Sequence, residues 1–194
     1  MKALCAAAVL VLLVADVRVS ASADAGAEPQ ALAVNADAAT IADFMKRVAE
    51  YAKLHKKLDD TLQEVPREAR PEQFIDHQRA LARLIQRERG PAKPGDICPK
   101  AMRAIVRRLL AGVFRGPNGR QIEHSILDEY TGHIRFEVNG QYPEGVPFAT
   151  VPPQILQVLP KLPDVLEYRF IGERLILLDV HAHLIVDFIE RVLP

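Results

Sequence analysis

The sequence predicts an α+β protein: an N-terminal antiparallel helical hairpin plus further helices, packed with a small antiparallel C-terminal sheet. Two observations carry this. Up to about residue 129 the apolar residues recur every three or four positions, and from residue 130 onward they alternate or run in short blocks bounded by turn residues. The order settles the class, because helices first and strands afterwards give α+β rather than interleaved α/β.

The first helix is expected from Thr40, which can cap it. Ile41, Phe44, Val48, Tyr51, His55, Leu58, Leu62 and Val65 then form one stripe. Upstream, residues 24–39 lack an apolar period and are expected to be a mobile leader. Pro66 and Pro71 bracket the turn PREARP. A second helix begins near Pro71, with Phe74, His77, Leu81, Leu84 and Ile85 inward, and so short a connection makes the pair antiparallel. GPAKPG at 90–95 breaks the pattern. A third helix starts at Pro99, with Met102, Ile105, Val106, Leu109 and Val113 buried, and ends at GPNG, 116–119. A short helix follows from Arg120 to about Glu129.

HIRFEV, Asn139-Gly140 and QYP read as a hairpin with a type I′ turn. Thr150 is expected to cap a short helix in TVPPQILQVLP. LEYRFIGERLILLDVHAHLIVDFI is a three-stranded meander, turning first at Gly172-Glu173 and again after Asp179. The whole of 40–194 is expected to be one domain, helical over 40–129 and β-rich over 130–194.

The N-terminus carries an export signal. Lys2 is followed by the apolar run ALCAAAVLVLLVA, too short to span a bilayer, and Ala21-Ser22-Ala23 supplies a small-x-small cleavage pattern. Cleavage after Ala23 would leave a periplasmic or secreted chain with no transmembrane segment. Only Cys98 would remain, which excludes an intramolecular disulfide. The net charge of the whole chain is zero, but Arg79 to Arg120 holds eleven Lys/Arg against Glu88 and Asp96. Arg79, Arg83, Arg87, Lys100, Arg103, Arg107 and Arg108 are therefore the candidate partner-binding residues, suited to an anionic envelope component or an acidic protein partner.

Within LLDVHAHL, Asp179, His181 and His183 alternate as metal ligands on a strand would, and the run resembles the N-terminal metal motif of the amidohydrolases. That family's barrel needs more than about 200 residues, and eleven follow His183. Leu175–Asp179 and Leu184–Phe188 both read as strands, which makes Val180-His181-Ala182-His183 the loop between them. A tight loop rotates neighbouring side chains apart, and His183 suits its left-handed position. Surface turn histidines are the expectation. Convergence of Asp179, His181 and His183 on zinc or another transition metal is the alternative. His55 and His77 lie on the helical stripes, where hydrogen-bonded core or boundary histidines are expected.

No catalytic residue or organic cofactor is assigned. Ser125 and Cys98 sit in no nucleophile signature, and His124-Ser125 diverge by about 100° on a helix. Cys98 precedes a helix N-terminus near Lys100 and Arg103, which would lower its pKa, but it has no resolving partner. Asp128, Glu129, Glu137, Glu144, Asp179 and Asp187 offer carboxylates without showing a pair. Gly116-Pro117-Asn118-Gly119 imitates the loop of RNA-binding KH domains in the wrong element order, and no Walker or dinucleotide motif exists, so no nucleic-acid partner is expected.

Through FIDHQRALARLIQ, GDI before a proline-started helix, VNGQYPEGVPFATVPPQIL and LEYRFIGERLILLDVHAHLIVDFIERVLP, residues 41–194 resemble a set of exported bacterial proteins of unknown function. The meander is also similar to small hairpin modules of periplasmic proteins, some in metal homeostasis. The resemblance implies an asparagine-like turn residue at position 183 and no cysteine at 98, so His183 and Cys98 depart from it. The resemblance implies location and fold but no activity. The expected function is a non-enzymatic binding or interaction protein of the bacterial cell envelope, acting through the basic segment or an open edge of the meander. The alternative is a periplasmic metal-binding accessory protein using Asp179, His181 and His183.

Overall fold

The computed structural model describes residues 27–128, 137–143, 145, 146 and 150–194. The expected export signal and cleavage site, Glu129, the first strand of the expected hairpin (His133–Phe136), Glu144 and 147–149 lie outside the described residues. Among the described residues five helices precede a three-stranded antiparallel sheet, so the fold is α+β.

Helix α1 spans Ala27–Asp59 and α2 spans Pro71–Arg89. The first begins well upstream of Thr40, so residues 27–39, expected as a mobile leader, are helical. The segment is rich in alanine, the best helix former, and Asp37 pairs with Arg108 across on the third helix. Thr40 is no cap. Its hydroxyl donates to the Ala36 carbonyl within the helix at 2.8 Å. The stripe of α1 is buried as its spacing requires, through Phe44, Val48, Tyr51, His55 and Leu58. In α2, Leu81, Ala82 and Ile85 are buried. Phe74, expected inward, is instead 48% exposed.

Helix α3 spans Lys100–Phe114 with Pro99 as its N-cap, and α4 spans Gly119–Asp128. Gly119 is required there, because a Cβ would stand 1.7 Å from the Phe114 carbonyl oxygen. The short α5, Pro153–Leu156, is capped by Pro152 rather than Thr150.

Strands β1 (Leu166–Ile171), β2 (Arg174–Asp179) and β3 (Leu184–Ile189) pair in chain order. Ile171 faces Arg174 across the Gly172-Glu173 turn, where Gly172 has φ of 55°. Asp179 faces Leu184 across a four-residue loop, and His183 takes φ of 55°, the left-handed position expected of it. The strands read as near-continuous apolar runs because both faces are covered. Leu166, Tyr168, Phe170, Leu175, Leu177, Leu184 and Val186 join the core under α1, α2 and α3. Ile171, Ile176, Leu178 and Ile185 pack with Tyr142 on the other side.

Asn139-Gly140 does not form the expected type I′ turn. Gly140 N–H closes a turn on the Glu137 carbonyl, so Val138 and Asn139 are its central residues, and only Asn139, with φ of 68°, is left-handed. Tertiary contacts set this register. The Asn139 amide donates to the Ile185 carbonyl at 2.8 Å, and its own carbonyl accepts from the Gln86 side chain of α2 at 3.0 Å. Gln141 bridges to Leu184. The β3 edge of the meander, expected open, is partly occupied by this segment.

Candidate functional site: a buried hydrogen-bond chain opening into a cleft

Tyr51 and His55 lie one turn apart on the buried stripe of α1, so both bring polar atoms into the core. Buried polar groups need partners, and Asp179 at the end of the apolar strand β2 supplies them. Its carboxylate is fully buried. One oxygen, Oδ2, accepts from the Tyr51 hydroxyl at 2.6 Å and from His55 Nδ1 at 2.6 Å. The other, Oδ1, accepts from the backbone amides of His181 at 3.0 Å and Ala182 at 2.7 Å. Burial pushes this carboxyl up, but the bonds from His55, the Ala182 amide and Tyr51 outweigh it and hold the group below its ordinary value. An ionised carboxylate accepts only, so His55 carries a hydrogen on Nδ1, and in the neutral ring Nε2 then presents a lone pair.

That lone pair meets His181. The His181 Nδ1 lies 3.3 Å from His55 Nε2, with ring centroids 5.3 Å apart. With both rings neutral, His181 donates from Nδ1 and its Nε2 is left as an acceptor. His181 is exposed and lines a cleft of about 800 Å³ between the end of α1, residues 60–66, the first turns of α2 and the β2–β3 loop. Asp59, Asp60, Leu62, Glu64, Val65, Phe74, His77 and Gln78 form the rest of the lining. His77 Nε2 sits 2.8 Å from Asp59 Oδ1, so His55 and His77 bind different carboxylates.

The proposed metal trio does not converge. Asp179 is turned inward and spent on the chain just described, and it reaches the His181 ring only through His55. The His183 ring packs on Tyr142, centroids 5.4 Å apart. The loop does drive the two histidines apart, for the left-handed turn at His183 reverses the backbone. Among the described residues no group of three His, Cys, Asp or Glu side chains has the geometry to hold a metal. Sequence reasoning treated His181 as an incidental turn residue and missed its contact with His55. The available signal was two polar residues, Tyr51 and His55, at successive turns of an apolar stripe.

Cys98 is not an activated thiol. It is 2% exposed, and burial, reinforced by nearby Asp187, pushes it up to about 12 despite Arg103 and Arg107. Asp187 itself serves the fold: its buried carboxylate accepts amide hydrogens from Gly95, Ile97, Cys98 and Phe188, tying the GPAKPG loop to β3. Burial raises this carboxyl, and the amides draw it back only in part.

The basic segment divides. Arg103 donates to the Cys98 and Pro94 carbonyls, Arg107 donates twice to the Glu190 carbonyl, and Arg108 pairs with Asp37. Those three are fold-holding residues as much as surface charge. Arg79, Arg83, Arg87 and Lys100 are exposed, the first three at successive four-residue intervals along α2. Arg89, on the same helix, is turned inward: it donates to the Val186 carbonyl at 3.1 Å and lies over the Tyr51 ring at 5.4 Å.

Among the described residues no helix is long and apolar enough to cross a membrane. Comparison with protein-family models, with curated proteins and with solved structures finds no match.

Proposed function

We propose that this chain is an exported, non-enzymatic binding protein of the bacterial cell envelope, and that its ligand occupies the cleft floored by His181. The carrying observation is that an exposed imidazole, backed by a buried chain of His55, Asp179 and Tyr51, opens into a concavity of small-molecule size. Such a chain fixes both the orientation and the tautomer of His181, which is what a preorganised recognition group requires. The described cleft lining includes no hydroxyl or thiol nucleophile, which favours binding over covalent chemistry. The apolar run after Lys2 and the small-x-small pattern at Ala21-Ser22-Ala23 support the envelope location.

The basic surface is weaker support, since three of its seven residues are engaged within the fold. The metal reading loses the arrangement that motivated it, because Asp179 and His183 face away from His181.

The test is an amide-detected NMR screen of a fragment panel balanced for charge, run on wild type, His181→Ala and Arg83→Ala. Shifts should concentrate at residues 59–66, 74–78 and 181–182, weaken in His181→Ala and persist in Arg83→Ala. No shifts in those segments, or shifts indifferent to His181→Ala, would refute the cleft as the binding site.

A further inference from the structure

The cleft offers mostly acceptors. With both rings neutral, His181 Nε2 is one of them, because its Nδ1 then donates to His55, whose own Nδ1 is engaged by Asp179. Glu64 adds a carboxylate that makes no ion pair or hydrogen bond among the described residues, while Asp59 and Asp60 are held at the rim by His77 and Lys56. The described lining contains no Lys or Arg. An anion would therefore meet the Glu64 carboxylate with no Lys or Arg in the lining to offset it, whereas a ligand bringing N–H donors and positive charge would satisfy both kinds of acceptor. Phe74, a lining residue 48% exposed, gives an apolar and cation-attracting surface.

We propose that the cleft binds a small organic cation, an ammonium or guanidinium carried on an apolar arm, with His181 and Glu64 taking the charged head and Phe74 the arm. The inference rests on the cleft-binding reading above and names its ligand class. It also reverses the sign of the partner that the basic segment suggests.

The experiment titrates 4-phenylbutylamine, 4-phenylbutanol and 4-phenylbutyrate, which share one arm and differ in head charge, against the full chain at pH 7.5. The readout is the amide shifts of residues 59–66, 74–78 and 181–182. The amine should bind about tenfold more tightly than the alcohol, the equivalent of one charge-assisted hydrogen bond, and the carboxylate more weakly than either. Glu64→Gln, a change at an exposed position, should remove most of the amine's advantage while leaving the alcohol unchanged. Equal or tighter binding by the alcohol or carboxylate, or an amine affinity unmoved by Glu64→Gln, would overturn the cation inference while leaving a cleft that binds ligands. Failure of the amine to bind, in a cleft that still takes neutral or anionic fragments, overturns it as well. Silence of the cleft to every fragment removes the binding reading with it.

Discussion

Replacing Asp179 by alanine should be among the most destabilising single changes in this protein. The carboxylate is the common acceptor for the Tyr51 hydroxyl, His55 Nδ1 and two amides. Of these, Tyr51 is 3% and His55 2% exposed, so neither can recover its lost bond from water. An orphaned buried donor costs about 1–3 kcal/mol, and opening a buried charged network costs about 3–5 kcal/mol. The estimate for Asp179→Ala is therefore about 4 kcal/mol, a large share of the roughly 5–15 kcal/mol that holds a domain together. Urea denaturation at pH 7, with m near 2 kcal/mol/M, would register this as a midpoint about 2 M lower. His181→Ala is the internal control: it removes the exposed end of the same chain and should cost less than about 1 kcal/mol. If Asp179→Ala lies within about 1 kcal/mol of wild type, or if His181→Ala is equally damaging, the chain is not organised from Asp179 outward and the reasoning fails.

Tyr51→Phe removes a single hydroxyl and should cost about 1 kcal/mol in the same assay. Because the folded Asp179 carboxyl titrates below its unfolded value, its contribution is present above about pH 4 and is lost as pH falls through the folded value. Acid titration of Asp179→Asn should therefore show a shallower loss of stability below pH 4 than wild type, and an identical slope would refute the assignment. Cys98 should resist a thiol reagent at pH 8 in the folded protein and react once unfolded; rapid stoichiometric labelling of the native state would contradict its burial. At position 183, with φ of 55°, asparagine should be nearly neutral and valine should cost about 1–2 kcal/mol, measured by urea denaturation.

The helical core was legible because its signals are local. Pro71 and Pro99 mark where α2 and α3 begin, and the spacing of Phe44, Val48, Tyr51, His55 and Leu58 names the face that α1 buries. The meander was equally local, since Gly172 and the loop ending at His183 set both of its reversals. What failed was whatever depended on distant partners. Asn139-Gly140 carries strong hairpin chemistry, yet its contacts with α2 and β3 shift the turn back to Val138-Asn139. The helix N-terminus argument for Cys98 was sound electrostatics applied without knowledge of burial, which here is the larger effect. The site shows the same division. Tyr51, His55, Asp179 and His181 were each visible as polar residues beside apolar runs, but His55 and Asp179 are 124 positions apart, and no periodicity pairs residues at that distance. The seven basic residues looked equivalent in sequence, and only packing separates Arg107, held by the Glu190 carbonyl, from Arg83 in solvent.

The central claim is that Asp179 dictates the tautomers of His55 and His181 and so leaves His181 Nε2 as an acceptor in the cleft. Long-range ¹H–¹⁵N correlation of the imidazole rings at neutral pH measures this directly. The prediction is a protonated Nδ1 on both His55 and His181, with an unprotonated Nε2 on each and a downfield proton between His55 and Asp179 that disappears in Asp179→Ala. Finding the hydrogen of His181 on Nε2, with His55 unaffected by the loss of Asp179, would contradict it.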